Sequence, residues 1–230
     1  MSERVLGVDA CKAGWVGIAL SGDHVQAYQR RTIAELVSEA SAAGGLAVVA
    51  IDIPIGLPDR TQRAADLAAR GAVGGMLASS VFMTPVRTAL AFATHADASA
   101  HNVELTGKGM SVQAFGLLPK VREVDLWRPT APCRVVEVHP EVSFAQLAGA
   151  KLTVRKSTWA GAMRRRGLLA GEGIVIPDSL GDAGERAAVD DVLDAAVAAW
   201  TARRVHQGKA LSFPEKFEIF SDGVECAIWR

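Results

Sequence analysis

Two short apolar runs, residues 5–10 and 15–20, are separated by a turn containing Lys12 and Gly14, and this pattern predicts an antiparallel hairpin. A third strand around residues 25–28 extends the hairpin into a meander. Thr32 is placed to cap a helix in which Ile33, Leu36 and Val37 recur at helical spacing, and Gly44-Gly45 ends it. Residues 46–51 are then apolar without alternation and are followed by Pro54 and Pro58. Such a run suits a strand covered on both faces, as in the parallel part of an α/β sheet.

From Pro58 to about Pro132 the pattern turns mainly helical. It predicts one helix over residues 62–70, another around 87–95, and a third starting at Ser111 that Pro119 bends or breaks. The stretch between the first two is too rich in Gly and Ser for a comfortable helix. A segment of this length between two strands reads as an inserted helical subdomain within one domain spanning residues 1–230, and long insertions more often carry function than packing. The sheet resumes at residues 134–138. Near the C-terminus AAVDDVLDAAVAAWTARR predicts an amphipathic helix with Val189, Leu193, Ala196, Val197 and Trp200 on one stripe. The last fourteen residues, FEIFSDGVECAIWR, add a closing strand pair. The expected fold class is α/β: a mixed sheet of meander plus parallel strands, with flanking helices.

Composition narrows the picture. With 230 residues, half of them hydrophobic, and 25 Lys+Arg against 25 Asp+Glu, the chain can bury a sizeable core, and disorder is excluded as its main state. Cys11, Cys133 and Cys226 form no CxxC pair, so a zinc site or a disulfide framework is not expected. The N-terminus lacks a signal-peptide pattern and no run of about 20 apolar residues occurs, so a soluble, cytoplasmic protein without a membrane partner is expected. Zero net charge taken alone argues against a phosphate polymer as partner. It is an average, however: residues 151–167 carry six positive charges and no acid, whereas residues 172–194 carry seven acids against Arg186 alone.

The candidate chemistry lies in the acids. Asp9, Asp52 and Glu137 each stand in or at the end of an apolar strand, where an unpaired carboxylate loses several kcal/mol unless a cation or proton compensates it. Any one of them can cap a neighbouring loop. Three together point to a shared hard cation, Mg²⁺ or Mn²⁺, held by carboxylate oxygens. Asp190, Asp191 and Asp194 open the C-terminal helix, where acids also complement the helix dipole. Asp191 and Asp194 project from one side, and a helix of small residues can lie close enough to the sheet to bring Asp194 to the strand-end acids.

GVDACKAGW, AIDIPIGLP, SSVFMTP, VEVHPE and DDVLDA, in that order, resemble the domain of unknown function 429 family, predicted nucleases of ribonuclease H-like fold in its RuvC-type branch. The resemblance runs from Gly7 to about Trp200. It implies a catalytic carboxylate site of Asp9, Asp52 and Asp191 or Asp194, with Asp52 standing where Glu is more usual. Asp9, Asp52, Glu137 and Asp194 are the expected metal ligands. Glu137 and Glu141 belong to the closer family's pattern, as extra ligands or substrate contacts.

The implied mechanism is phosphodiester hydrolysis with two divalent ions about 3.5–4 Å apart. Lys12, Arg87, Lys120, Lys156, Arg164, Arg165 and Arg166 are candidate phosphate contacts, Ser79, Ser80, Gln113 and His139 candidate pocket residues, and Trp15, Phe82 and Trp159 candidate stacking partners. The expected partner is DNA, RNA or a small phosphorylated ligand, with homo-oligomerisation open. The alternatives are an actin-like or sugar-kinase-like phosphotransferase, which needs a glycine-rich phosphate hairpin after the first Asp, and a non-catalytic ligand-binding module.

Overall fold

The computed structural model describes residues 3–230, apart from the side chain of Met76. Strands β1 (Val5–Cys11), β2 (Gly14–Ser21) and β3 (His24–Arg30) form the antiparallel meander, with Cys11 paired to Gly14 across a turn of only Lys12 and Ala13. Helix α1 (Ile33–Ala42) starts at Thr32, whose hydroxyl accepts from the backbone N–H of Glu35 while the Glu35 carboxylate accepts from that of Thr32. β4 (Val48–Ile51) returns parallel to β1, and β5 (Arg134–Val138) is parallel to β4. β7 (Glu225–Trp229) is parallel to β5, and β6 (Ser212–Ile219) closes the edge antiparallel to β7. The seven-stranded sheet therefore runs β3-β2-β1-β4-β5-β7-β6, the mixed α/β architecture expected.

Between β4 and β5 lie α2 (Ala64–Val73), two 3₁₀ segments (Gly75–Ser80 and Arg87–Ala91), α3 (His95–Thr106) and α4 (Val112–Trp127), the last followed by a 3₁₀ turn. The helix expected around 87–95 is thus a 3₁₀ turn, after which Thr94 caps a separate helix. Pro119 does not break α4, which continues to Trp127 because Leu118, Val121 and Val124 are buried along it. After β5 come α5 (Pro140–Ala148), α6 (Trp159–Gly171), the short α7 (Asp182–Arg186) and the long α8 (Val189–His206).

Strand alternation divides the core between two faces. Val5, Val48, Ala50, Val136 and Val138 point to the face covered by α8, with Phe144 and Leu169 filling the layer. Leu6, Val8, Val49 and Ile51 point to the other face, against Leu36 and Val37 of α1 and Val121 and Val124 of α4. This is why residues 46–51 show no polar alternation.

Helix α8 corrects the expected single stripe: every residue from Val192 to Ala202 is buried, while Val189 is exposed. Helices α5 and α6 pack on it as well as the sheet. Its inner contact is unusually close. A Cβ on Gly7 would lie 2.0 Å from the Ala199 nitrogen and 2.1 Å from the Ala195 carbonyl oxygen, both backbone atoms, so only glycine at this position of β1 permits the approach.

Among the described residues, no helix is long and apolar enough to cross a membrane.

Candidate functional site

Asp9 and Asp52 are neighbours by register. β1 and β4 pair at Val8 and Ile51, the Asp52 N–H donates to the Val8 carbonyl at 3.0 Å, and the next residue on each strand is the carboxylate. Adjacent strands run about 4.8 Å apart. Both acids fall in the alternation of Val5 and Ala50, so they share the α8 face. The close seating of α8 on Gly7 brings Asp194, one turn into the helix, to the same place. Asp9 and Asp194 are buried, and one Asp9 oxygen accepts the N–H of Ala10 at 2.8 Å.

Lys156 completes the group. It comes from the irregular segment between α5 and α6; its Nζ donates to Asp194 Oδ2 and lies 3.9 Å from Asp190 Oδ2.

Electrostatics follow from this crowding. Burial, then the charges of Asp52 and Asp194, hold the Asp9 carboxyl well above the usual carboxylate range. Burial pushes Asp52 up to about 7, with Lys156 opposing and Glu141 adding. Burial likewise pushes Asp194 to about 7 against the pull of Lys156. Lys156 is shifted the other way: although burial opposes its charge, Asp194, Asp9 and Asp52 hold the ammonium protonated well beyond the ordinary lysine range. His139, beside the cluster, is lowered by burial; its Nε2 lies 3.3 Å from the Ser80 carbonyl oxygen, and its Nδ1 has no partner.

Other expected site residues are used elsewhere. Glu137 is a correction: in β5 it alternates with Val136 and Val138, so it points away from α8. There Arg63, 1% exposed, clamps it with two hydrogen bonds of 2.8 and 2.7 Å, and the Ile55 N–H donates to it at 2.6 Å. Arg63 also grips Asp66, whose other oxygen accepts the N–H of Thr84. Glu137 therefore pins the loop that follows Asp52 to α2 and ligates nothing with Asp9.

Asp191 accepts from the Ala188 N–H and so closes the start of α8, with a half-buried carboxyl raised by burial and by Asp190. Glu141 stays on the acid side, close enough to raise Asp52 and Asp194, but both of its oxygens accept from Arg165 Nη2, at 2.7 and 2.8 Å.

The basic stretch is divided: Lys151, Arg155 and Arg164 are exposed, Lys156 and Arg166 partly so, and only Arg165 is buried. Arg165 is fully buried, Arg166 pairs with Asp178, and Lys151 donates to the Gly71 carbonyl. Arg164 and Lys12 are exposed. Arg87 bridges Asp125 and Asp222, with Asp222 also accepting from the Leu57 N–H, and so fastens the insertion to the β6–β7 connection. Ser80 lies beside His139, Ser79 is exposed, and Gln113 is exposed in the first turn of α4.

Of the aromatic candidates, Trp15 is core, its indole N–H donating to Glu123 and its ring covered by Lys120 at 4.3 Å. Phe82 packs on the small cluster of the insertion. Trp159, 79% exposed, is the one of the three open to a partner. Arg63, with its partner Asp66, was not anticipated as a functional residue. The one available signal was the i,i+3 spacing of Arg63 and Asp66 after a proline-bounded loop.

The donor set suits a hard divalent ion. Asp9, Asp52 and Asp194 offer only oxygen, and Asp194 Oδ1 is buried without a hydrogen-bond partner. As the side chains stand, among the described residues no three His, Cys, Asp or Glu are arranged to hold an ion; Lys156 takes the other oxygen of Asp194.

Neither the curated proteins nor the solved structures yield a match to this chain. The family model described as Protein of unknown function (DUF429) matches residues 7–219, a span that includes the meander, all three converging aspartates and Lys156, so the chain belongs to that family.

Proposed function

We propose that the protein is a divalent-metal-dependent nuclease that hydrolyses phosphodiester bonds at the Asp9–Asp52–Asp194 cluster. The observation that carries this reading is the convergence of three carboxylates, the buried Asp9 and Asp194 and the half-buried Asp52, from two adjacent parallel strands and a helix, with one carboxylate oxygen left without a partner.

Crowding three acids into one poorly solvated place is unfavourable unless positive charge compensates them, and the single ammonium of Lys156 does so only in part. Mg²⁺ or Mn²⁺ bound there would supply Lewis-acid polarisation of a phosphoryl oxygen and a water made nucleophilic at neutral pH. Asp9, Asp52 and Asp194 Oδ1 would hold the ion. Lys156 adds a fixed positive charge next to it, and burial lowers the His139 imidazole below its ordinary range at the same edge. Exposed Lys12, directly after the β1 end that carries Asp9, supports the reading as a phosphate contact, as does Arg164 on α6. A phosphotransferase is disfavoured by the hairpin after Asp9, whose two-residue turn leaves no room for a glycine-rich phosphate loop.

The test is cleavage of single-stranded DNA, RNA, branched DNA and RNA–DNA hybrid with Mg²⁺ and with Mn²⁺. Asp9→Asn and Asp194→Asn should each lower the rate by roughly a hundredfold or more. Undiminished cleavage by both variants would sink the assignment of the site.

A further inference from the structure

We infer that a second site, separate from the carboxylate cluster, lies between β5 and β7 and takes a nucleotide, with its phosphate on two arginines and its planar base at the parted strand edges.

The sheet is open at this point. β5 pairs with β4 over Arg134–Glu137, but with β7 only at Glu137 and Val138. Arg134–Val136 and Glu225–Ala227 therefore border a gap instead of a ladder, and residues of both borders line a cavity of about 480 Å³. That volume suits a small molecule and not a polymer. Peptide groups along an unladdered strand edge are donors and acceptors that need partners. β1, β4, β5 and β7 are mutually parallel; the gap lies toward the ends at which β5 and β7 begin, whereas Asp9 and Asp52 stand where β1 and β4 finish.

The charges at the cavity favour an anion. Arg128, in the 3₁₀ turn after α4, and Arg134 both line it, and among the described residues neither guanidinium is paired with a carboxylate. The acids beside them are engaged elsewhere: Glu137 by Arg63, and Asp222 by Arg87 and the Leu57 N–H. Glu225 remains, exposed to water that screens it. Guanidinium matches phosphate through paired hydrogen bonds. Next to the arginines, half-buried Phe217 and Trp229 stand with ring centroids 5.7 Å apart, and the Arg134 guanidinium lies 5.0 Å from the Trp229 ring centroid. These rings give a planar body an apolar wall beside the phosphate position, and the rim of a nucleobase carries the donors and acceptors that the strand edges lack. The nuclease reading enters only in choosing a nucleotide among small phosphorylated molecules, since nucleotides are what that reaction releases.

The experiment is calorimetric titration of the full chain in EDTA with the 5′-monophosphates of adenosine, cytidine, guanosine and uridine, with inorganic phosphate and adenosine as comparators. At least one nucleotide should bind, one per chain, roughly tenfold or more tighter than either comparator. Arg128→Met and Arg134→Met should each weaken that binding by about tenfold, through loss of a charge-assisted contact. No nucleotide binding would overturn the inference and leave the nuclease reading intact, because cleavage tests that reading separately. Inorganic phosphate binding as tightly as every nucleotide would overturn the inference too, as would nucleotide binding that both arginine variants leave unchanged. Nucleotide binding lost in the variants, with no cleavage of any polymer, would uphold this site and remove the nuclease reading alone. The two variants are independent, so if one misfolds the other decides.

Discussion

Asp52 and Asp194 have an ordinary carboxyl value of 3.8 and sit near 7 in the fold, because burial disfavours their charged forms. Between those limits the folded protein holds protons that the unfolded chain releases. Their stabilising contribution is therefore complete below about pH 4 and is lost as pH rises through about 7. The upward shift of Lys156 begins to matter only above its ordinary 10.5, outside this window. His139, lowered by burial from 6.5, acts in the opposite sense, its contribution being lost as pH falls.

The metal-free protein should accordingly lose thermal stability between pH 5 and 8, by roughly 2–4 °C in Tm for each kcal/mol of lost contribution. Asp52→Asn should flatten that slope, and Mn²⁺ should reverse it by favouring the ionised acids. Melting curves at three pH values, with and without Mn²⁺, check this. A wild-type slope that Asp52→Asn leaves unchanged would refute the electrostatic account of the cluster. At this scale residue type and position made Asp9 and Asp52 visible at strand ends and Asp194 in the opening turns of a small-residue helix. The direction of Glu137 was not, since facing depends on which strand residue is paired in register.

At the scale of elements, the site depends on how near α8 lies to β1. Gly7→Ala would place a methyl group 2.0–2.1 Å from α8 backbone atoms that cannot rotate away. It should destabilise the protein by about 1–3 kcal/mol or more. It should also weaken Mn²⁺ binding, because the helix that carries Asp194 has to move outward. Urea unfolding paired with calorimetry measures both effects, and an undisturbed Mn²⁺ affinity would show that Asp194 is positioned independently of this contact.

The clamp between α2 and β5 makes a contrasting case. Glu137→Gln leaves Arg63 as a buried charge with only Asp66 to balance it, and should cost about 3–5 kcal/mol in unfolding free energy. Because Glu137 faces away from Asp9, the number of Mn²⁺ ions bound should not change; a lost ion would restore Glu137 to the ligand set. The elements themselves were legible where periodicity was clean, as in the meander, β4, β5 and α1. Around 87–95 it was not, for Thr94 starts a new helix that the apolar spacing did not separate from the 3₁₀ turn before it.

For the whole molecule, zero net charge conceals opposed segments, and folding draws part of the basic one inward. Lys156 enters the acid cluster, Arg165 is buried against Glu141, and Arg166 faces Asp178. Lys12, Lys151, Arg155 and Arg164 stay exposed and are the cations of these segments open to a phosphate backbone. Binding to DNA or RNA should show a shallow salt dependence, with a log–log slope of about −2 to −4 corresponding to two to four phosphate contacts. Fluorescence anisotropy across salt concentrations measures it, and a slope as steep as about −6 would require a basic surface that these residues do not form.

The sequence by itself determined the alternation that builds the mixed sheet, the small-residue helix able to approach it, and three carboxylates in places where an isolated charge is unfavourable. These are local properties, set by side-chain type and spacing along the chain. Only tertiary structure decided which charges meet. Arg63 and Glu137 are separated by 74 residues, Lys156 and Asp194 by 38, and Arg165 and Glu141 by 24. Within one basic run Lys156 becomes a site cation and Arg165 a buried counter-ion while Lys151, Arg155 and Arg164 stay exposed, because Coulomb energy in a poorly solvated interior depends on distance through space, to which spacing along the chain is a poor guide.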